Sequence, residues 1–101
     1  MPQQQTKVRS SAKVTYEKPK NYVVIMFNDN VTTMEFVVMI LQKIFYKSDK
    51  DAESIMLKVH NDGQAIVGVY SLDMARTKVK RSMSLAQEND FPLLLTFEPE
   101  E

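Results

Sequence analysis

Apolar residues along this chain cluster in six stretches, some with the compactness of a buried strand and some with the spacing of an amphipathic helix. Tyr22-Val23-Val24-Ile25-Met26-Phe27 is short, apolar and rich in β-branched residues, which predicts a buried strand. Asn28-Asp29-Asn30 ends it with turn chemistry. Met34, Val37, Ile40, Leu41, Ile44 and Phe45 then recur at helical spacing and predict a helix running to about Phe45 or Tyr46. Thr32 is the expected N-cap of that helix, with Glu35 three residues on completing a capping box.

Ser48 is expected to open a second helix, with Asp49 and Asp51 opposing the positive end of its dipole. Ala52, Ile55, Met56 and Val59 mark its buried face, and Gly63 in Asn61-Asp62-Gly63 is the natural left-handed cap. Ala65–Tyr70 reads as a second buried strand, in which Gly68 predicts close approach by a neighbouring element. Ser71 is expected to cap a third helix reaching about Gln87, with Leu72, Ala75, Val79, Met83 and Ala86 inward. Pro92-Leu93-Leu94-Leu95-Thr96-Phe97 reads as the last strand, with proline at its start, where a missing N–H is tolerated.

The order β-α-α-β-α-β predicts an α+β fold. It is a single small domain, a three-stranded antiparallel sheet covered by helices on one face. Residues 1–20 are polar and cannot bury enough surface to offset the entropy of ordering. They are expected to form a flexible tail ahead of a domain spanning 21–101.

Composition narrows the chemistry. The chain has no cysteine, which excludes disulfides and thiolate catalysis, and with a single histidine no zinc site is expected. Two glycines leave no room for a phosphate-cradling loop. No catalytic set, metal or cofactor is expected, and the chain does not read as an enzyme. No apolar run approaches the roughly 18 residues of a membrane span. The leading Met-Pro-Gln-Gln-Gln-Thr-Lys lacks the apolar region of a secretory signal, so a cytoplasmic setting is expected. The net charge of zero is unevenly placed. Lys7, Arg9, Lys13, Lys18 and Lys20 stand against Glu17 in residues 1–20, a net +4, which leaves −4 on the rest. An acidic folded body argues against a main nucleic-acid function, since phosphate contacts need a basic footprint.

One constellation could carry recognition. Asn28-Asp29-Asn30-Val31-Thr32-Thr33-Met34 joins the first strand to the first helix, and His60, the only histidine, lies one helical turn beyond Met56. An amide oxygen, a carboxylate and a neutral ring nitrogen are the acceptor types that an α-ammonium group with its donors would want. On pattern alone, Asn-Asp after a strand is most often only a turn, and a histidine at a helix end most often meets the dipole or solvent.

The wider pattern resembles the ClpS family of Clp protease adaptors, which recognise destabilising N-terminal residues. The resemblance covers about residues 20–98 and rests on Asn28-Asp29 with Thr32-Thr33-Met34 after it. It also rests on Met34-Glu35-Phe36-Val37-Val38, Leu41–Phe45, Met56-Leu57-Lys58-Val59-His60, Gly68-Val69-Tyr70, Thr77-Lys78-Val79 and Pro92-Leu93-Leu94. It implies that Asn28, Asp29 and His60 bind an α-amino group. Thr32, Met34, Val37, Ile40, Met56, Val59 and Leu93 would line a side-chain pocket, with Met34 as a gate against β-branched residues. Spacing alone does not separate pocket wall from core at Val37, Ile40 and Val59. The chain departs from the family at Asn30, where a second Asp is usual, at Thr33, where Pro is usual, and at Met39, where a polar residue is usual and an exposed methionine is therefore expected.

Asp73, Arg76, Lys78, Lys80 and Arg81 are expected on the polar side of the third helix, as a solvated face or a docking face. By the resemblance, Asp73 and Lys78 match positions that contact the N-terminal domain of ClpA, a Clp-family AAA+ unfoldase. The implied function is an adaptor that carries N-degron peptides and proteins to such an unfoldase, without nucleic acid or membrane. A small RNA- or ribosome-associated α/β domain, using the basic tail and third helix, is the rival reading.

Overall fold

A computed structural model describes residues 19–101. The expected tail over 1–20 lies outside the described residues as far as residue 18. The elements are β1 (Asn21–Phe27), α1 (Met34–Lys43), α2 (Asp49–Asp62), β2 (Gln64–Ser71), α3 (Leu72–Glu88) and β3 (Leu94–Pro99). This is the expected order. The sheet runs β2-β1-β3, with β1 antiparallel to both neighbours.

Alternation along the strands puts Val24, Met26, Ala65, Val67 and Leu95 on the buried face of the sheet. They meet Phe36, Val37, Ile40 and Leu41 of α1, Ala52, Met56 and Val59 of α2, and Ala75, Val79 and Ala86 of α3. The opposite face carries Ile66, Val69 and Leu94 in the open. All three helices therefore cover one side, as an amphipathic helix and a half-buried strand each require a partner layer.

The β1–β2 ladder slips by one residue. Val24 pairs with Gly68 and Ile25 with Ile66, which leaves Val67 as the extra residue of a bulge. The bulge turns both Val67 and Gly68 toward the helices and re-phases the strand, so that Tyr70 also points there. The close approach expected at Gly68 comes from this neighbour on its own strand. A Cβ at Gly68 would lie 2.7 Å from the Tyr70 hydroxyl and 2.9 Å from its ring. Tyr70 in turn packs on Phe45, with ring centroids 5.9 Å apart.

Three helix starts use hydroxyl caps. Ser48 accepts from the Asp51 N–H and Ser71 from the Met74 N–H, as expected. At α1 the cap is Thr33, whose Oγ1 accepts from the Phe36 N–H, and the expected Thr32–Glu35 box does not form. Thr32 is unavailable because both its N–H and its hydroxyl donate to the Asp29 carboxylate, at 2.7 Å each. α1 also ends earlier than its apolar stripe suggests, at Lys43. Ile44 caps it, and Tyr46 follows with φ of 55°, a left-handed residue that breaks the helix.

The polar side of α3 differs from expectation at one position. Lys78 is 6% exposed and packs on the buried face with Ser82. Its Nζ donates to the Ile44 carbonyl at 2.7 Å and sits 5.8, 4.7 and 5.6 Å from the ring centres of Phe45, Tyr46 and Tyr70. The stem of a lysine can lie in apolar surroundings while its head finds an acceptor and ring faces. Here the acceptor is a carbonyl at the negative end of α1. Burial pulls this ammonium below the usual lysine range, and the charge of Arg81 adds to the effect.

Candidate functional site

The turn after β1 and the end of α2 are tied together by backbone. The Asn28 N–H donates to the Gly63 carbonyl at 2.9 Å, and the Gly63 N–H donates to the Val59 carbonyl at 3.0 Å. Gly63 makes both contacts from φ of 88°, a conformation that other residues adopt at a cost of about 1 kcal/mol or more. This link carries the last turn of α2, and with it His60, to the mouth of the Asn28–Met34 turn.

Asp29 organises that turn. Its Oδ1 accepts from the Val31 N–H at 2.8 Å and the Thr32 N–H at 2.7 Å, and its Oδ2 accepts from the Thr32 hydroxyl. Partial burial pushes the carboxyl up, but these three hydrogen bonds outweigh it and hold the group below its ordinary value. Of about four acceptor sites on a carboxylate, three are occupied, and one remains for a ligand.

The result is one hollow of about 370 Å³ lined by Asn28, Asp29, Asn30, Thr32, Thr33, Met34, Val37, Met56, Val59 and His60. Its rim is polar, from the turn and His60. Its floor is apolar, from α1 and α2. Eight of the residues expected at the site meet here: Asn28, Asp29 and His60 on the rim, and Thr32, Met34, Val37, Met56 and Val59 below or beside them. Asn30 and Thr33 join them, and their place in the same turn is the signal that could have included them.

Two expected pocket residues do not line the hollow. Ile40 is fully buried, one turn deeper on α1, and belongs to the core. Leu93 lines a separate hollow of about 490 Å³ between α3 and β3, with Val79, Met83, Phe91 and Phe97. Met39, expected in the open, is half-buried in a third hollow along α1. Asp73 is exposed on α3 and paired loosely with Arg76 at 3.8 Å. It does not touch Lys78, which is turned inward. Among the described residues, no three His, Cys, Asp or Glu side chains converge to hold a metal ion. No described helix is long and apolar enough to cross a membrane.

The sequence matches the family model described as "ATP-dependent Clp protease adaptor protein ClpS" over residues 17–96. The chain belongs to the ClpS family. It is 50% identical over 92 residues to the ClpS of Myxococcus xanthus, a match covering 91% of this chain and 86% of the relative. It is 42% identical to the ClpS 2 of Mesorhizobium japonicum across the whole of both chains. The solved structure of Agrobacterium tumefaciens ClpS2, bound to L-phenylalaninamide, is 40% identical and superimposes with a TM-score of 0.79. The match covers 82% of this chain and all of that one. The relatives are named as adaptors of an ATP-dependent protease, so this chain is placed among adaptors.

Asp29 makes the site sensitive to acid. Its carboxyl is depressed in the folded state, so the stabilisation it supplies is complete above its unfolded pKa of about 3.9 and is lost as pH falls through the lower folded value. Acidification below about pH 4 should therefore release the Val31 and Thr32 amides before the core melts. Amide chemical shifts followed by NMR test this. Val31 and Thr32 amides that stay unchanged to about pH 2 would show that the turn does not depend on the charge.

Proposed function

We propose that this family member binds proteins by a free α-amino group and a bulky apolar N-terminal side chain, such as Phe, Tyr, Trp or Leu, and delivers them to a Clp AAA+ unfoldase for degradation. The observation that carries the reading is the hollow itself, in which acceptors at Asn28, Asp29 and His60 stand over a floor of Val37, Met56 and Val59, with Met34 at the mouth. L-Phenylalaninamide, bound in the Agrobacterium tumefaciens relative, presents the same two features, a free amine and a large apolar side chain. Docking to the N-terminal domain of a ClpA-like unfoldase would use the face around the exposed Asp73, with Lys78 fixing the adjoining α1–α2 corner from within. The segment 1–20 would be gripped by the unfoldase during handover. The reading sets this adaptor in the cytoplasm, without cofactor, nucleic acid or membrane, and with no catalysis of its own.

Selection against β-branched side chains falls to Met34, which is 43% exposed at the mouth. Burying a Leu or Phe side chain supplies about 1.5–3 kcal/mol, whereas Val and Ile branch at Cβ, where Met34 would crowd them. Peptides differing only in their first residue should bind in the order Phe or Leu well above Val or Ile, and Met34→Ala should bring Val and Ile up by about tenfold. Fluorescence anisotropy reads this, and adaptor-dependent loss of a Phe-initiated reporter in the presence of a ClpA-like protease reads delivery. A flat series would remove the pocket from this reading, and a reporter degraded equally without the adaptor would remove delivery.

A further inference from the structure

The hollow along α1 that holds Met39, about 370 Å³ in volume, lies against the candidate pocket. It is lined by Met34, Glu35, Val38, Met39 and Gln42 along one side of α1, and by Met56 of α2. Met34 and Met56 line both hollows, so the two are separated by the thickness of one methionine wall. The larger hollow between α3 and β3 shares no residue with the candidate pocket. The wall between the adjoining pair is built from unbranched thioethers, which adapt to varied shapes. Val38 and Met39 are half-buried and Met34 is more exposed still, so apolar surface remains uncovered beside the pocket mouth.

We propose that this hollow is a second subsite for the same substrate, taking a large apolar side chain from position two or three of the bound N-degron. The inference rests on the binding reading above. With the amine held at Asn28, Asp29 and His60 and the first side chain inside, the substrate backbone would leave past Met34, the most exposed of the apolar lining residues. Successive Cα atoms are about 3.8 Å apart and alternate ones about 6.6–7 Å apart. Either of the next two side chains therefore reaches across a single methionine. The subsite would read Leu, Met or Phe above Ser or Gly, so the adaptor would rank substrates that share the same first residue.

The test uses peptides beginning with Phe, with Leu or Ser placed at position two, three or five, each in free and N-acetylated form. Affinities are measured for the full chain and for Met39→Gln and Val38→Thr, substitutions outside the first pocket. Leu at two or three should bind about fivefold more tightly than Ser there, while position five makes no difference. In either variant the ratio should fall toward one, with the affinity of the all-Ser peptide unchanged. Agreement between the variants separates lost contact from a disturbed fold. Free peptides that bind well but show no preference at two or three would overturn the subsite alone. A preference that survives both variants would do the same. A change in oligomeric state on Met39→Gln with the ratio intact would assign the hollow to a second copy of the chain, and overturn the subsite too. Free peptides that bind no better than their acetylated forms would overturn the binding reading, and the subsite with it.

Discussion

Acetylation of the α-amino group of a Phe- or Leu-initiated peptide is expected to lower its affinity by about a hundredfold or more. The free ammonium carries charge and three donors, and its proposed acceptors are the Asn28 amide oxygen, the vacant site on the Asp29 carboxylate and the His60 ring. Acetylation removes the charge and two of the donors. Each acceptor left dry and unpaired costs about 1–3 kcal/mol, and two of them suffice for the stated factor, at about 1.4 kcal/mol per tenfold. Asp29 is the acceptor held most rigidly, since three hydrogen bonds within the turn already fix its plane. The measurement is a pair of isothermal titrations with the free and acetylated peptides. Equal affinities would mean that the hollow reads a side chain without its amine, and the adaptor reading would fail.

Lys78→Glu is expected to destabilise the whole domain by about 3–5 kcal/mol, the scale for stranding a buried charge. The substitution sets a carboxylate against the Ile44 carbonyl, two acceptors facing each other, and beneath three aromatic rings whose faces repel anions. It also places negative charge at the negative end of α1. For a domain of this size, each 1 kcal/mol moves the melting temperature by about 4–8 °C, so a fall of about 15 °C or more should follow. Lys78→Met keeps the apolar stem and removes the ammonium, and should cost less, about 1.5–3 kcal/mol for the lost charge-assisted bond. Thermal melts by circular dichroism compare the two. An unchanged melt for the glutamate would show that the ammonium faces water. The consequence for function is direct. Charge reversal at Lys78 would disturb peptide binding and docking together through the fold, whereas the exposed Asp73 can be reversed to probe docking by itself.

Much of the fold was legible because it depends on neighbours in sequence. Ser48 and Ser71 cap their helices, and Gly63 ends α2 in the left-handed region, as their residue types dictate. The strand and helix order follows from apolar spacing, which local geometry converts into faces that need covering. The candidate site was legible only in part. Residue types marked Asn28, Asp29 and His60 as acceptors, but their use as a site was suggested by resemblance, because no spacing rule joins residue 29 to residue 60.

Tertiary structure decided the rest, wherever one group had a choice of partners. Thr32 is the cap its residue type and Glu35 lead one to expect, but the Asp29 carboxylate takes its hydroxyl and the cap passes to Thr33. Leu93 and Ile40 are expected to line the pocket by resemblance, yet apolar character does not say which wall a side chain will face. Lys78 reads as surface charge, because a lysine's ordinary partner is water. Only the fold brought the Ile44 carbonyl and three rings within reach of its ammonium. By itself, then, the sequence determined the elements, the caps of α2 and α3 and the kinds of chemistry at hand. Which of those groups share one hollow was decided by the Asn28–Gly63 backbone link and the packing of α1 against α2, contacts between residues distant in the chain that no local spacing specifies.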